Sequence, residues 1–233
     1  MKGLSLIAAM VMGLALVMPS MTDLQAAELR ILAGGSLTGP LNELAPRFEQ
    51  ASGHKLVIHF DSTPNLIKQA VPGAPFDAAV VPVDVFKDAA AKARFVSGPT
   101  IDIARAGYGV IVRSGTPKPD VSTPEALKKT LLEAPSIAFV PESAAGAYVL
   151  KTFDRLGIAE AMKAKTNVQA MPAQIAPGVE LAGAFPAELQ QELVFTAAVA
   201  VGSKQSEAAK AFIAFLTSPA ATAIIKARGM TPG

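Results

Sequence analysis

From residue 28 onward, short apolar runs of strand length alternate with stretches whose apolar residues recur at helical spacing. This alternation restricts the fold more than any other feature of the chain. The stretch ILAGGSLTGPLNELAPRFEQASG, residues 31–53, holds the pattern in miniature. An apolar strand ends on Gly34-Gly35-Ser36, and a helix follows in which Leu41, Leu44, Ala45 and Phe48 share one face. Gly53 is placed to cap its C-terminus.

The same reading predicts strands over 28–33, 55–60, 76–82, 105–113, 136–140 and 192–202. It predicts helices over 40–52, after Asp61-Ser62-Thr63-Pro64, over 83–95, after Ser122-Thr123-Pro124, and in the run that Gly157 stops. Two closing helices, SEAAKAFIAFLTS and PAATAIIKARG, end the chain. Strand alternating with helix predicts an α/β fold with mostly parallel sheet and helices on both faces. The segment TPKPD, residues 116–120, divides two strand–helix runs of similar size and is the expected hinge. The expected organisation is two lobes joined by crossing strands around a cleft. Lobe 1 takes residues 28–104, lobe 2 takes 105–195, and 196–233 return to lobe 1.

Residues 1–27 read differently. Lys2 precedes an uncharged apolar run from Leu4 to Met18, and the small residues Ala26-Ala27 follow. This is the form of a secretory signal peptide cleaved after Ala26 or Ala27, and it predicts a periplasmic chain. The run is shorter than the roughly 18 apolar residues of a membrane span and lacks a basic flank behind it. A net charge of +2 with few aromatics and no basic run gives no support to nucleic-acid binding. There is no cysteine, hence neither a lipid-anchored N-terminus nor a disulfide framework. His54 and His59, the only two histidines, flank one strand. They read as satisfied edge residues, and no zinc site of ordinary ligand spacing is available.

Three corners share one form: LAGGS-LTGP, HFDST-PNL and FVPESAAG-AYV. In each a strand ends, small or hydroxyl residues follow, and a helix begins. In an open α/β sheet such corners lie at the carboxyl ends of strands, where ligands bind. A helix N-terminus supplies unpaired N–H groups and partial positive charge, and Ser and Thr add hydroxyls. Several such ends aimed at one point make an anion site that needs no lysine or arginine. The bland alternative is plain capping, and the Ser122-Thr123-Pro124 corner, which follows a linker rather than a strand, is read that way.

Catalytic patterns do not emerge. Gly34 and Gly39 have phosphate-loop spacing, but Pro40-Leu41 stands where Lys-Ser/Thr is needed. Gly107-Tyr108-Gly109 lacks the third glycine of a dinucleotide fingerprint, and no nucleophile elbow occurs. Asp61, Asp77 and Asp84 are placed to gather at the carboxyl edge of the sheet, which leaves a hydrolase as an alternative. The expectation is a binding protein rather than an enzyme.

AGGSLTGPLNELAPRFEQASGHKLVIHFDSTPNLIKQAVPGAPFDAAVVP resembles the N-terminal lobe of the periplasmic molybdate-binding proteins of ABC importers. SGTPKPDVSTPEALKKTLLEAPSIAF, ESAAGAYVLKTFDRLGI, GVELAGAFPAELQ and AFIAFLTSPAATAIIKARG extend the resemblance over most of the chain. It implies a type II periplasmic binding protein fold, two-lobed and monomeric, that closes on a tetrahedral oxyanion, molybdate or tungstate. The partner is then an inner-membrane ABC permease, with no cofactor beyond the transported ligand. Ser36 matches the family's first-strand serine. Thr63, with Ser62 beside it, matches the second-corner hydroxyl. Ala145 matches the position that offers a backbone N–H from a second-lobe helix. The chain departs from the pattern after AMKAKTNVQAM, where the family runs through a further helix and strand before GVELAG. That unit carries another backbone donor and a ligand tyrosine, and Tyr148 does not occupy the tyrosine's position. A shortened second lobe is therefore expected. The alternatives are a different small anion or carboxylate as ligand, or a degenerate paralogue that binds no solute.

Overall fold

The computed structural model describes residues 26–70, 75–98, 100–169 and 178–233. The expected leader lies outside the described residues up to position 25. Ala27 is already part of the fold: it is buried, and its N–H donates to Nδ1 of His54 at 3.1 Å.

In chain order the strands are β1 (Glu28–Gly34), β2 (Lys55–Asp61), β3 (Ala78–Pro82), β4 (Ile101–Gly107) and β5 (Gly109–Arg113). They continue with β6 (Ile137–Phe139), β7 (Thr166–Val168), β8 (Val179–Ala184), β9 (Glu192–Val199) and β10 (Thr231–Pro232). The helices are α1 (Thr38–Ser52), α2 (Thr63–Gln69), α3 (Ala89–Lys92) and α4 (Pro124–Glu133). After them come α5 (Ala144–Leu156), α6 (Ala159–Lys163), α7 (Ser206–Leu216) and α8 (Pro219–Ala227).

Six strands form one sheet in the order β10-β4-β9-β3-β1-β2. Every residue of β3 is buried, as its run of small apolar side chains at the centre of the sheet requires. On one face α1, α7 and α8 bury Leu41, Phe48, Phe212 and Ile225 against β1 and β9. On the other, Leu66 and Val85 pack against Leu32 and Val81. The predicted α/β class holds, but the sheet is mixed rather than mostly parallel. β1 pairs in parallel with β2 and β3, whereas β9 is antiparallel to both β3 and β4. The cause is connectivity: β9 brings the chain back from the second core and enters the sheet from the edge where β4 leaves it.

That second core is built around Leu127, Leu131, Phe153 and Met162, from α4, α5 and α6. Its strands form two separate pairs, β5 with β8 and β6 with β7. Residues 170–177, where the sequence departs from the resembled pattern, lie outside the described residues.

Three local expectations fail. The helix read over 83–95 is a 3₁₀ turn at Val83–Lys87 followed by the single turn α3. Asp88 divides them by accepting the Ala91 N–H at 2.8 Å, so its side chain starts a new helix instead of continuing the old one. The strand read over 105–113 breaks at Tyr108, where β4 ends in the large sheet and β5 starts in the second core. The segment 116–120 is not the hinge. It is a turn within the second core, where Lys118 pairs with Glu180 at 3.1 Å and Asp120 accepts the Ser122 N–H at 2.9 Å. The chain instead crosses at Tyr108 and returns at Gln190-Gln191.

Candidate binding cleft

β1 and β2 are in register to their ends, with Gly34 opposite Asp61, so the first two corners lie side by side. Gly34 is required by close approach: a Cβ there would come within 2.8 Å of the Phe195 ring and 3.1 Å of Pro82. The chain then makes a 3₁₀ turn, Gly35–Leu37, that leaves Ser36 exposed. Thr38 spends its hydroxyl on the Gly35 carbonyl at 2.7 Å.

The capping explanation divides these corners. Thr123 accepts the Ala126 N–H at 3.1 Å, so the Ser122-Thr123-Pro124 corner is a cap, as expected. α2 has Ser62 at its N-cap position, yet no side-chain cap bond forms there. The 3₁₀ turn and α1 likewise start without a side-chain cap. The hydroxyls of Ser36 and Ser62 are therefore not spent on helix capping.

α5 is arranged differently. Ser143 donates its hydroxyl to the Val140 carbonyl at 2.7 Å and accepts the Gly146 N–H at 2.9 Å. The Ala147 N–H bonds to Ser143 O at 2.9 Å. The Ala144 N–H donates to Oγ1 of Thr63 at 3.1 Å, across 81 positions in sequence. This bond joins the second corner to α5 directly. Ala145 is left as the first-turn residue whose N–H has no acceptor among the described residues. The structure thus brings Ser36, Ser62, Thr63 and the Ala145 end of α5 to one edge, the edge at which the chain also crosses between its two cores.

Asp61 supports this edge. Burial by itself would raise its pKa, but hydrogen bonds from Asn65, the Ser62 N–H, Gln69 and His59 hold it below the ordinary value. A carboxyl depressed in the folded state stabilises above its unfolded pKa and loses that contribution as pH falls through the folded value. The Asp61→Asn variant is therefore expected to lose less stability than the native chain when pH drops from about 5 to below about 3, as read from urea midpoints at each pH.

The three carboxylates do not gather. Asp61 is the last residue of β2 and Asp84 follows β3, but Asp77 precedes β3 at the opposite edge. There it accepts the Arg30 N–H at 2.9 Å and the Ser203 hydroxyl at 2.6 Å, beside a concavity of about 510 Å³ lined by Arg30, Phe76, Arg94 and Lys204. The spacing in sequence gives no sign of which end of a buried strand a carboxylate marks. Both histidines are partnered, His54 by the Ala27 N–H and His59 by Gln69 and Asp61.

Sequence reasoning missed the residues at the crossing. Gln190 accepts the Tyr108 N–H at 2.7 Å and donates to the Tyr108 carbonyl at 2.9 Å. The one visible signal was a tyrosine between two glycines inside a strand pattern.

The chain is similar to known proteins over most of its length. The family described as "Bacterial extracellular solute-binding protein" matches residues 29–174 and 167–231. A protein named aconitate isomerase, from Pseudomonas sp., is 26% identical over 230 residues, covering 88% of this chain and 87% of that protein. The molybdate-binding protein of Azotobacter vinelandii is 28% identical over 231 residues, covering 88% of this chain and 90% of that one. A solved structure titled as the periplasmic molybdate-binding protein of the same organism superposes with a TM-score of 0.69 at 20% identity, over 87% of this chain and 98% of that chain.

Proposed function

This chain belongs to the bacterial extracellular solute-binding proteins, and we propose that it captures a small tetrahedral oxyanion, molybdate or tungstate, for an ABC permease. The observation that carries the reading is the set of donors not spent on folding: the hydroxyls of Ser36 and Ser62 and the Ala145 N–H. The corner segments Gly34–Leu37, Ser62–Thr63 and Ser143–Gly146 contain neither lysine nor arginine. Neutral donors of this kind hold an anion by number and direction rather than by countercharge. In this reading β4 and β9 stay whole within the large sheet, so residues 28–107 and 192–233 make one lobe and 109–189 the other, a smaller second lobe than the expected 105–195, and the cleft lies between them. The ligand bonds to both lobes and shifts the chain toward the closed arrangement. The expected leader over residues 1–27 supports export to the periplasm. Cleavage after Ala26 fits the fold better than cleavage after Ala27, because it keeps the Ala27 N–H on His54.

Each hydrogen bond to a charged group is worth roughly 1.5–3 kcal/mol net, so a few in a dehydrated cleft support sub-micromolar affinity. Thr63 serves twice, on the anion and on the Ala144 N–H. Thr63→Ala and Ser36→Ala are each expected to weaken oxyanion binding by about 10- to 100-fold with little loss of stability. Calorimetry alongside thermal melting separates the two effects, and wild-type affinity in both variants would make these residues mere fold elements.

The similarity to a protein named aconitate isomerase favours a second reading, in which the solute is a small carboxylate. Titration of the secreted chain with molybdate, tungstate, sulfate, phosphate, citrate and trans-aconitate decides between them. Tight molybdate and tungstate binding with weak carboxylates supports the first reading. The reverse order selects the second, and conversion of cis- to trans-aconitate by the purified chain would make it an enzyme. A cooperatively melting protein that takes up none of these anions would be a non-binding paralogue.

A further inference from the structure

The crossing edge holds one more organised cluster. Tyr108 and Tyr148 are the only tyrosines in the chain, which has no tryptophan. Their rings lie 4.6 Å apart, tilted by 34°. Tyr108 sits where β4 hands the chain to β5, its backbone held by Gln190 on both sides and its carbonyl also taking the Phe185 N–H at 2.9 Å. Tyr148, one turn into α5, donates its hydroxyl to the Leu189 carbonyl at 2.8 Å, on the return crossing. A single side chain of α5 thus touches both connections between the lobes, the outgoing one through its ring and the returning one through its hydroxyl.

We propose that Tyr148 is a positioning residue that mounts the donor end of α5 on both lobe crossings, so that hinge rotation moves the Ala145 N–H as one rigid piece with the crossing strands. The inference rests on the reading of the Ala145 end as a ligand contact, and it deepens that reading by naming what sets the donor's position. The geometry suits the task. Two closely packed, tilted rings and one directional bond resist both sliding and rotation of the helix. Besides Tyr148, the first turn of α5 is held by the bond from Ala144 to Thr63 and by Ser143, which among the described residues is tied to Val140 and to the turn itself. Burial, then the carboxylate of Asp84 and the neighbouring Tyr148, push the Tyr108 phenol up to about 12.

The test uses the secreted chain and two variants. Tyr148→Phe keeps the ring and deletes the bond to Leu189, and Tyr148→Leu removes both contacts. Amide exchange followed by NMR without any solute is expected to quicken at Ala144, Gly146 and Ala147 by about fivefold in Tyr148→Phe and about fiftyfold in Tyr148→Leu. Amides of α4, α6 and the large sheet should keep their native rates. Molybdate affinity should fall in the same order. Unchanged exchange in the first turn of α5, or quickening spread evenly over the second core, would overturn the proposal and leave Tyr148 as ordinary packing. If the exchange pattern appears while native protein binds none of the oxyanions, the mount stands and the solute reading fails.

Discussion

Gly146→Ala is expected to dislocate the third corner, with stability lower by about 2–5 kcal/mol and oxyanion binding lost. A Cβ at this position would sit 1.9 Å from the Val140 carbonyl oxygen and 2.7 Å from the Pro141 Cα. Both obstacles are backbone, so no rotamer change relieves them, and the strand end must move away from the helix. That movement pulls Val140 O from the Ser143 hydroxyl and Ser143 from the Gly146 N–H, which now bond at 2.7 and 2.9 Å. The corner's own cap is therefore damaged by the same atom that causes the clash. For a chain of this size the loss corresponds to roughly 5–15 °C in melting temperature. Gly39 in α1 is the matched control. Apart from its chain neighbours nothing lies within 4 Å of a Cβ there, so Gly39→Ala should change stability by no more than about 1 kcal/mol, the gain in helix propensity being opposed by the crowding of Pro40 on the residue before it. A Gly146→Ala protein that melts and binds like the native chain would mean that close strand–helix approach does not set the donor geometry.

The contrast between these two glycines also shows what a sequence reading reaches. Both sit just inside a helix start, and nothing local distinguishes them; only the carbonyl packed above Gly146 does. The corners themselves were legible because each is a local event: an apolar run, a hydroxyl and a helix period follow one another along the chain. The capping of α4 by Thr123 and the left-handed Gly53 and Gly157 at helix ends were legible for the same reason. What was not legible depends on distant partners. Asp88 restarts a helix within an unbroken apolar pattern. The Tyr108 break depends on Gln190, 82 positions away, and the β9 reversal on where the second core returns the chain. Proline in 116–120 drew the hinge to the wrong place, because proline marks a turn, whereas the crossings are nearly continuous strand. Among the candidate residues, Ser36, Ser62 and Thr63 stand out by type and position at their corners and Ala145 only through the family resemblance, but the Thr63–Ala144 bond that ties two of the corners together could not be read from either segment alone.

Ala145→Pro is the sharpest test of the donor set, because it deletes one N–H that folding does not use. Proline lacks the amide hydrogen, and its fixed φ suits the first turn of a helix. The Ala145 N–H has no acceptor among the described residues, so no bond within the fold is lost. The chain itself holds a precedent: α2 begins Thr63-Pro64, with proline second, and Ala145 is the second residue of α5. Stability is expected to stay within about 1 kcal/mol of native, while affinity for the oxyanion falls by about 10- to 150-fold, the worth of one bond to a charged acceptor. Ala145→Ser, which keeps the N–H and adds a small side chain, should bind within a few-fold of native. Calorimetric titration with molybdate and a thermal melt on each variant separate the cases. If Ala145→Pro binds as tightly as Ala145→Ser, the anion takes its bonds from Ser36 and the second corner alone, and closing the lobes adds nothing to its grip. If affinity falls in the proline variant only, the ligand reaches across the cleft to α5, and the bond from Ala144 to Thr63 marks how near the two lobes already stand.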